Sequence, residues 1–372
     1  MLPLSGLFEV SPLCNFSCKM CYVRKTREEV SALGGLHDGD WWIELARQAG
    51  ALGMLYPLLS GGETFAYPEF EKVYLALEQM GMMVTINSNG SLITEKRARW
   101  LEEHRPMRIN ITLYGAGPES YERLCGSGAA FERVMDGVHR LKAHNIPVKF
   151  NCSVTPQNVG DLAEMIAIAQ REEIPMQVAT YMFPAVRREA DSFGENNRLS
   201  PREAARAHFL RAKLQMRPEA LHAMALRFSR FTPLYQIDFD ALEPGAGRPM
   251  RCYAGKNAFW VDWQGNLSAC GMMGIDAVSL TDCTFAEGWR QVVEHTDSLR
   301  YGAVCMACPN CMICNTCQAN VYLETGTAHG RPTYFCEMME AVAEEYRAEL
   351  KECPSNSEVI LKLEDEPEVC GL

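Results

Sequence analysis

Three cysteines near the start of the chain have a spacing that suits an iron–sulfur cluster. Cys14, Cys18 and Cys21 form a C-x3-C-x2-C pattern directly after an apolar segment at residues 7–11. Three thiolates on one short loop can bind three irons of a cubane cluster, whose usual complement is four cysteines. The fourth iron would then be open to a small molecule. Zinc, the alternative, would need a fourth Cys or His nearby, and the candidate, His37, lies far along the chain.

A second and larger set of cysteines lies toward the other end of the chain. Cys252 and Cys270 enclose a C-x12-G-x4-C pattern around Gly265. A dense run follows, and its spacing also resembles the C-x2-C-x2-C pattern of ferredoxins. The run and the cysteine that closes the set are Cys305, Cys308, Cys311, Cys314, Cys317 and Cys336. The set predicts further iron–sulfur centres, with a structural zinc ribbon as the alternative.

The composition favours metal binding over disulfide bonding. The chain has 16 cysteines in 372 residues, and its first residues lack the pattern of a secretory signal. Thiols stay reduced without export, so such a chain is expected to bind metal. Cys125 and Cys152 follow no pattern and are predicted to be core thiols.

The net charge of −11 argues against a nucleic-acid-binding surface, and no apolar run is long enough to cross a membrane. We expect a cytoplasmic protein with neither a nucleic-acid nor a membrane partner.

The elements that must position the cysteines alternate between short apolar strands and longer amphipathic helices. The predicted strands cover residues 7–11, 56–60, 83–88, 108–114, 148–154 and 177–183. Helical patterns between them cover residues 40–53, 69–81, 94–104, 130–145 and 158–172. This alternation predicts βαβ units and a parallel sheet, and six units are too few for an eight-stranded barrel. The predicted fold class is α/β, with a partial (β/α)6 TIM barrel that is open on one side.

The composition changes along the chain and predicts four segments. The segment EPGAGRP at residues 243–249 is rich in Gly and Pro, which are typical of a boundary. The last residues, 353–372, carry Pro, Ser and several acids and are predicted to be a loose tail. The four segments are the barrel at 1–183, a helical linker at 184–249, a small cysteine-rich domain at 250–345, and an acidic helix end with the tail at 346–372.

The first cysteine loop resembles the signature of the radical S-adenosylmethionine (SAM) superfamily. The resemblance implies that the open iron binds the amino and carboxylate groups of SAM. Two further motifs at strand ends resemble those of the family. Gly61, Gly62 and Glu63 resemble the GGE motif, which implies that the glycines let the backbone approach the ligand and that the motif helps to bind the SAM amino group. Asn87, Ser88 and Asn89 resemble the polar residues that contact the ribose and carboxylate of SAM. Thr112 and Asn151 are weaker candidates of the same kind, and the resemblance implies no catalytic residue beyond the cofactor ligands. The chain departs from the family at Thr64, where Pro is usual, and at Met20, where an aromatic residue is usual.

The C-terminal cysteines resemble the SPASM extension, which binds two auxiliary [4Fe–4S] clusters. The resemblance implies that Cys252, Cys270 and Cys317 hold the inner cluster. The outer cluster would be held by Cys305, Cys308, Cys314 and Cys336. The chain departs from the pattern in one spacing and in the additional Cys311, which leaves the ligand assignment within the run open by one cysteine. The inner cluster has three clear ligands, because no cysteine lies between residues 253 and 269. Either Cys283 or Cys311 completes it, or one of its irons is open.

The family resemblance implies a reaction and leaves the substrate open. Such enzymes reductively cleave SAM to a 5′-deoxyadenosyl radical, which abstracts hydrogen from a substrate C–H bond, with a flavodoxin- or ferredoxin-type reductant as partner. The SPASM-like extension favours modification of a ribosomally made peptide by a thioether or carbon–carbon crosslink. Gly271 replaces the Asp of sulfatase-maturing relatives and disfavours that activity. The alternatives are modification of a small molecule or tetrapyrrole side chain and, from another class, a non-catalytic electron carrier.

Overall fold

The first half of the chain forms six parallel strands that alternate with helices. The structure is a computed structural model and describes residues 1–184, 197–242, 247–249 and 252–352. Strands β1 to β6 span Ser5–Ser11, Tyr56–Gly61, Thr85–Ser88, Arg108–Thr112, Val148–Ser153 and Met176–Ala179. They are hydrogen-bonded neighbours in sequence order, and each pair is parallel. This arrangement confirms the predicted partial barrel.

Seven helices connect these strands in the described part of the barrel. Helices α1 to α7 span Arg27–Ala32, Gly39–Ala51, Phe70–Gln79, Glu95–Glu103, Pro118–Cys125, Ala130–Ala143 and Leu162–Arg171. Side chains alternate across a strand, so every second residue, such as Phe8, Leu59, Ile86 and Phe150, enters the apolar core shared with the helices. Helices α1 and α5 were not among the predicted helices. The sixth strand is shorter than predicted, because its pairing with β5 ends at Ala179.

The opposite, concave face of the sheet is polar. Arg108 Nε donates a hydrogen bond to Asn110 Oδ1 (2.9 Å), and Asn110 Nδ2 donates to Asn87 Oδ1 (2.8 Å). Asn87 Nδ2 in turn donates to Ser60 Oγ (3.1 Å). These bonds run from β4 across β3 to β2 and show that the four side chains share one face. The strands therefore present a polar surface to whatever enters the barrel.

The cysteine-rich segment adds strands to the barrel sheet. Strands β7 to β11 span Arg248–Pro249, Ala258–Val261, Asn266–Ser268, Val278–Ser279 and Arg300–Tyr301. Strand β8 pairs in parallel with β1, from Ser5 opposite Ala258 to Phe8 opposite Val261. The described sheet therefore has nine strands in the order β10-β9-β8-β1-β2-β3-β4-β5-β6. Strands β7 and β11 form a separate antiparallel pair.

Helices of the linker and the C-terminal segment pack together beside the barrel. Helices α8 to α14 span Pro201–Gln215, Pro218–Ser229, Phe285–Ser298, Ala303–Ala307, Cys311–Cys314, Gln318–Thr325 and Thr333–Glu352. Tyr346 of α14 stacks on Phe228 of α9 (4.8 Å between ring centroids) and meets Phe209 of α8 edge-on (5.0 Å). Helix α14 runs through residue 345, where the sequence predicted a segment boundary. The predicted tail at 353–372 lies outside the described residues, and no described helix has the length and apolar character to span a membrane.

Candidate functional site

The first cysteine loop crosses the carboxyl end of β1. Cys14 Sγ accepts a hydrogen bond from the backbone N–H of Phe16 (3.4 Å), and Cys21 Sγ accepts one from Arg24 (3.3 Å). Burial raises the pKa of the Cys14 thiol to about 12, because a buried thiolate loses its hydration. A bound metal compensates for that loss, since it keeps a coordinating thiol deprotonated. The donor set therefore fits a metal cluster.

The three thiols do not need to meet at one point. Throughout the described ranges, no three Cys, His, Asp or Glu side chains are placed to share a single metal ion. A cubane cluster has no such requirement, because each thiolate binds a different iron.

Gly61 and Gly62, at the end of β2, contact the cysteine loop so closely that neither position has room for a side chain. Gly62 N–H donates to the carbonyl of Ser11 (2.7 Å), and Glu63 N–H donates to that of Leu13 (2.9 Å). A Cβ at Gly61 would lie 2.2 Å from the Ser11 oxygen, and one at Gly62 would lie 2.3 Å from the Leu13 oxygen. In the structure these two glycines admit the backbone of the cysteine loop at close range. The approach of a ligand that the resemblance implies stays a prediction.

Glu63 holds the end of β3 in place. Its carboxylate is fully buried and accepts hydrogen bonds from Phe65 N–H (3.0 Å), Ser88 Oγ (2.8 Å) and Asn89 N–H (2.7 Å). Burial raises the pKa of this carboxyl above its ordinary value, and the three donors oppose that rise. Both oxygens are thus bonded within the protein, and the implied contact of this motif with SAM stays a prediction.

Asn89 links the third motif to the first. Its Nδ2 donates to Asn15 Oδ1 (2.9 Å) and lies 3.8 Å from Cys14 Sγ. Thr64, where the family has Pro, donates through Oγ1 to the carbonyl of Asn87 (2.7 Å). The cysteine loop, the GGE motif and the residues after β3 therefore form one hydrogen-bonded unit, which we call the motif unit.

Thr112 and Asn151 lie opposite each other on neighbouring strands β4 and β5. Asn151 Oδ1 is buried, and no described residue donates a hydrogen bond to it. A buried acceptor without a donor is unfavourable unless a ligand supplies one. The hydroxyl groups of a ribose are donors of this kind, so this position fits SAM.

Two residues beside the cysteine loop were missed by sequence reasoning. Cys18 hydrogen-bonds to the thiol of Cys125 and to the hydroxyl of Tyr114, and the bond with Cys125, together with burial, raises the pKa of Cys18 above its ordinary range. The carbonyl of Cys125 also accepts from Ser17 N–H (3.1 Å). Cys125 is buried as predicted, yet it ends α5 directly beneath the loop. No spacing in the sequence indicates this contact.

The C-terminal cysteines fall into two groups. The inner group consists of Cys252, Cys270 and Cys317, and burial followed by the charges of the other two raises the pKa of Cys317. In the outer group, burial and then the charges of Cys336, Cys308 and Cys311 raise the pKa of Cys305 to about 12. The outer group consists of Cys305, Cys308, Cys311, Cys314 and Cys336. Arg331 hydrogen-bonds to Cys336 at its edge.

Cys283 lies apart in a surface cleft. Its Sγ donates to the carbonyl of Ser279 (3.4 Å), and the nearby charges are those of Glu287 and Asp282. The cleft has a volume of about 490 Å³ and is also lined by Asp276. Cys283 and Cys311 were the two candidates for a fourth ligand of the inner group. Cys283 lies in this separate cleft, and Cys311 lies with the outer group.

The motif unit lies in the part of the chain that matches a known family model. Residues 8–169 match the family model described as the radical SAM superfamily. The AdoMet-dependent heme synthase of Methanosarcina barkeri is 21% identical over 335 residues, which cover 86% of this chain and 92% of that relative. The PqqA peptide cyclase of Rhizobium meliloti is 28% identical over 186 residues, which cover 49% of this chain and 48% of that relative.

A solved structure shares the fold over almost the whole chain. The likeness to native anSMEcpe with bound AdoMet has a TM-score of 0.68 at 19% identity. It covers 94% of this chain and 98% of that one. The cysteine-rich segment therefore belongs to the shared fold together with the barrel.

Proposed function

We propose that the motif unit is the active site of a radical SAM domain, the family whose model matches residues 8–169. Cys14, Cys18 and Cys21 would hold the [4Fe–4S] cluster. The observation that carries this proposal is the set of bonds by which Asn89 and Glu63 tie the motifs to the cysteine loop. The unit lies at the carboxyl ends of the strands, where barrel enzymes carry their active sites.

The residues of the chain position and shield the reaction. When bound and reduced, the cluster supplies the electron that splits SAM into methionine and a 5′-deoxyadenosyl radical, which takes a hydrogen atom from a substrate C–H bond. Gly62 and Glu63 fix the loop that carries the thiols. Thr112 and Asn151 would bind polar groups of SAM on the concave face. Phe16 is buried and packs against Tyr114 (6.0 Å between ring centroids), which keeps water away from Cys18.

For the substrate, we propose a ribosomally made peptide that receives a thioether or carbon–carbon crosslink. Support comes from the peptide cyclase relative, which has the higher identity of the two relatives, although its match covers about half of each chain. The second candidate is a tetrapyrrole side chain. It is favoured by the heme synthase relative, whose match spans both the barrel and the cysteine-rich segment.

We further propose two auxiliary [4Fe–4S] clusters, one on each C-terminal group. The outer group offers five cysteines for four irons, so one of them is surplus. The inner group offers Cys252, Cys270 and Cys317, which leaves one iron without a thiolate from the described part of the chain. A substrate group would bind that iron. The reductant would be a flavodoxin- or ferredoxin-type protein.

The proposed function is tested by cleavage of SAM. The protein is reconstituted with iron and sulfide without oxygen, reduced with dithionite, and assayed for 5′-deoxyadenosine. We expect Cys18→Ala to abolish product while the C-terminal groups keep their iron, and Cys152→Ala, a buried thiol on β5 outside the motif unit, to retain activity. Wild-type turnover by the Cys18→Ala variant would refute the site. Iron binding without any cleavage by the wild type would instead identify an electron carrier.

A further inference from the structure

Two basic side chains lie together on the concave face of the barrel. Arg108 is the first residue of β4, and Lys149 on β5 pairs with Asn110, two residues further along β4. Alternation along a strand places all three on the same face. Burial and, after it, the charge of Arg108 lower the pKa of Lys149. The two cations are therefore close enough to repel each other.

Neither cation has an acidic partner within the described ranges. The bonds found are from Arg108 Nε to Asn110 Oδ1 (2.9 Å) and from Lys149 Nζ to Gln177 Oε1. Both acceptors are neutral amides. The acidic residue of the concave face, Glu9, is on β1, and strands β2 and β3 separate it from β4. Arg108 is the diagonal neighbour of Lys149 across the two strands, within reach of a long side chain. Two positive charges so placed repel each other unless an anion joins them.

Lys149 lies nearer than Arg108 to the residues proposed to face SAM. On β5, Lys149 is two residues before Asn151, which is about 7 Å along the strand, and on β4, Arg108 is four residues before Thr112, which is about 13 Å. The pair is partly exposed, and Gln177 beside it on the edge strand β6 is exposed. A ligand can therefore reach the cations from the open side of the barrel while another part of it faces the motif unit.

We propose that Arg108 and Lys149 together bind a carboxylate of the substrate. A guanidinium and an ammonium form strong charge-assisted hydrogen bonds with a carboxylate, whose charge would also remove their mutual repulsion. This inference rests on the proposed function and extends it to a substrate class, molecules that carry a carboxylate near the reacting C–H bond. The carboxylate would come from an Asp or Glu side chain of a peptide or from a propionate of a tetrapyrrole.

The test measures binding to the reconstituted, SAM-loaded protein with two matched pairs of probes. The first pair is Ac-Ala-Glu-Ala-NH2 and Ac-Ala-Gln-Ala-NH2, and the second is coproporphyrin III and its tetramethyl ester. The variants are Arg108→Gln, Lys149→Gln and the charge-conserving Lys149→Arg. The matched control is Lys96→Gln, which removes the charge of an exposed lysine on α4.

We expect that either the Glu peptide or coproporphyrin III binds through its carboxylate. The Kd of that acidic probe should rise at least about tenfold in Lys149→Gln and in Arg108→Gln, and the Kd of the matched neutral probe (the Gln peptide or the tetramethyl ester) should not change. Lys149→Arg and Lys96→Gln should keep the wild-type Kd. An effect on the peptide pair identifies a peptide carboxylate, and one on the porphyrin pair identifies a propionate. If Arg108→Gln does not fold, the Lys149 variants decide the question.

The inference is overturned if the wild type binds acidic and neutral probes equally well, or if Lys149→Gln behaves like Lys96→Gln. Formation of 5′-deoxyadenosine by the wild type is measured separately. A wild type that cleaves SAM but shows no preference for a carboxylate refutes the inference and leaves the proposed function standing. A wild type that does not cleave SAM refutes the proposed function, whatever the probes show.

Discussion

Replacing Gly62 by alanine should displace the loop that carries the first three cysteines. The added Cβ would lie 2.3 Å from the carbonyl oxygen of Leu13, and ordinary contact begins at 3.4 Å, so the shortfall (3.4 − 2.3) is 1.1 Å. The other atoms that it would meet, Leu13 C at 2.7 Å and Pro12 O at 2.8 Å, are also backbone. No side chain can rotate away to relieve this overlap. The loop itself must therefore move by about 1 Å, and a shift of that size can lower an enzymatic rate about 100-fold.

The assay for Gly62→Ala combines iron content, formation of 5′-deoxyadenosine and thermal unfolding. We expect a loss of about 100-fold in SAM cleavage, with a folded barrel by circular dichroism. The matched control is Gly160→Ala, because a Cβ at that position meets no atom within 4 Å. A Gly62→Ala protein with wild-type iron and wild-type turnover would show that the loop tolerates the shift and would refute the steric argument.

Two further predictions concern the C-terminal cysteines. After anaerobic reconstitution we expect roughly twelve irons per chain, at four for each of three cubanes. The Cys283→Ala variant should keep all of these irons, because Cys283 lies in a separate cleft. The Cys317→Ala variant should lose about four irons, those of one cubane. Loss of iron in Cys283→Ala, or zinc in place of the auxiliary iron, would contradict this assignment. Arg331 is a cation that bonds to Cys336, and its positive charge favours the reduced state of the outer cluster, which is the more negative one. The Arg331→Gln substitution removes that charge and should therefore lower the reduction potential of the outer cluster. Redox potentiometry followed by electron paramagnetic resonance measures this, and a shift no larger than that of the exposed control Arg300→Gln would refute it.

The sequence was informative wherever the pattern is local. Alternation of apolar residues located all six barrel strands, and the order of the motifs placed them at consecutive strand ends because parallel strands share their carboxyl edge. The hydrogen bond between Asn89 and Asn15 was beyond such reasoning, because it depends on how closely two loops approach in the folded barrel. The same is true of Cys125, whose position next to Cys18 follows from the packing of α5. The place of Cys311 depends on the path of the chain between α11 and α13, which regular spacing does not determine.

The pairing of β8 with β1 has a consequence for the biosynthesis of the protein. In the described sheet, β1 lies between β2, which is made soon after it, and β8, which comes from the far end of the chain. Until the ribosome has released β8, β1 is an edge strand with unpaired backbone groups, and such edges favour aggregation. Contacts between distant parts of a chain also form slowly. The cysteine loop that follows β1 therefore acquires its final support only after synthesis of the C-terminal segment, so cluster insertion into the barrel is expected to be a late, post-translational event.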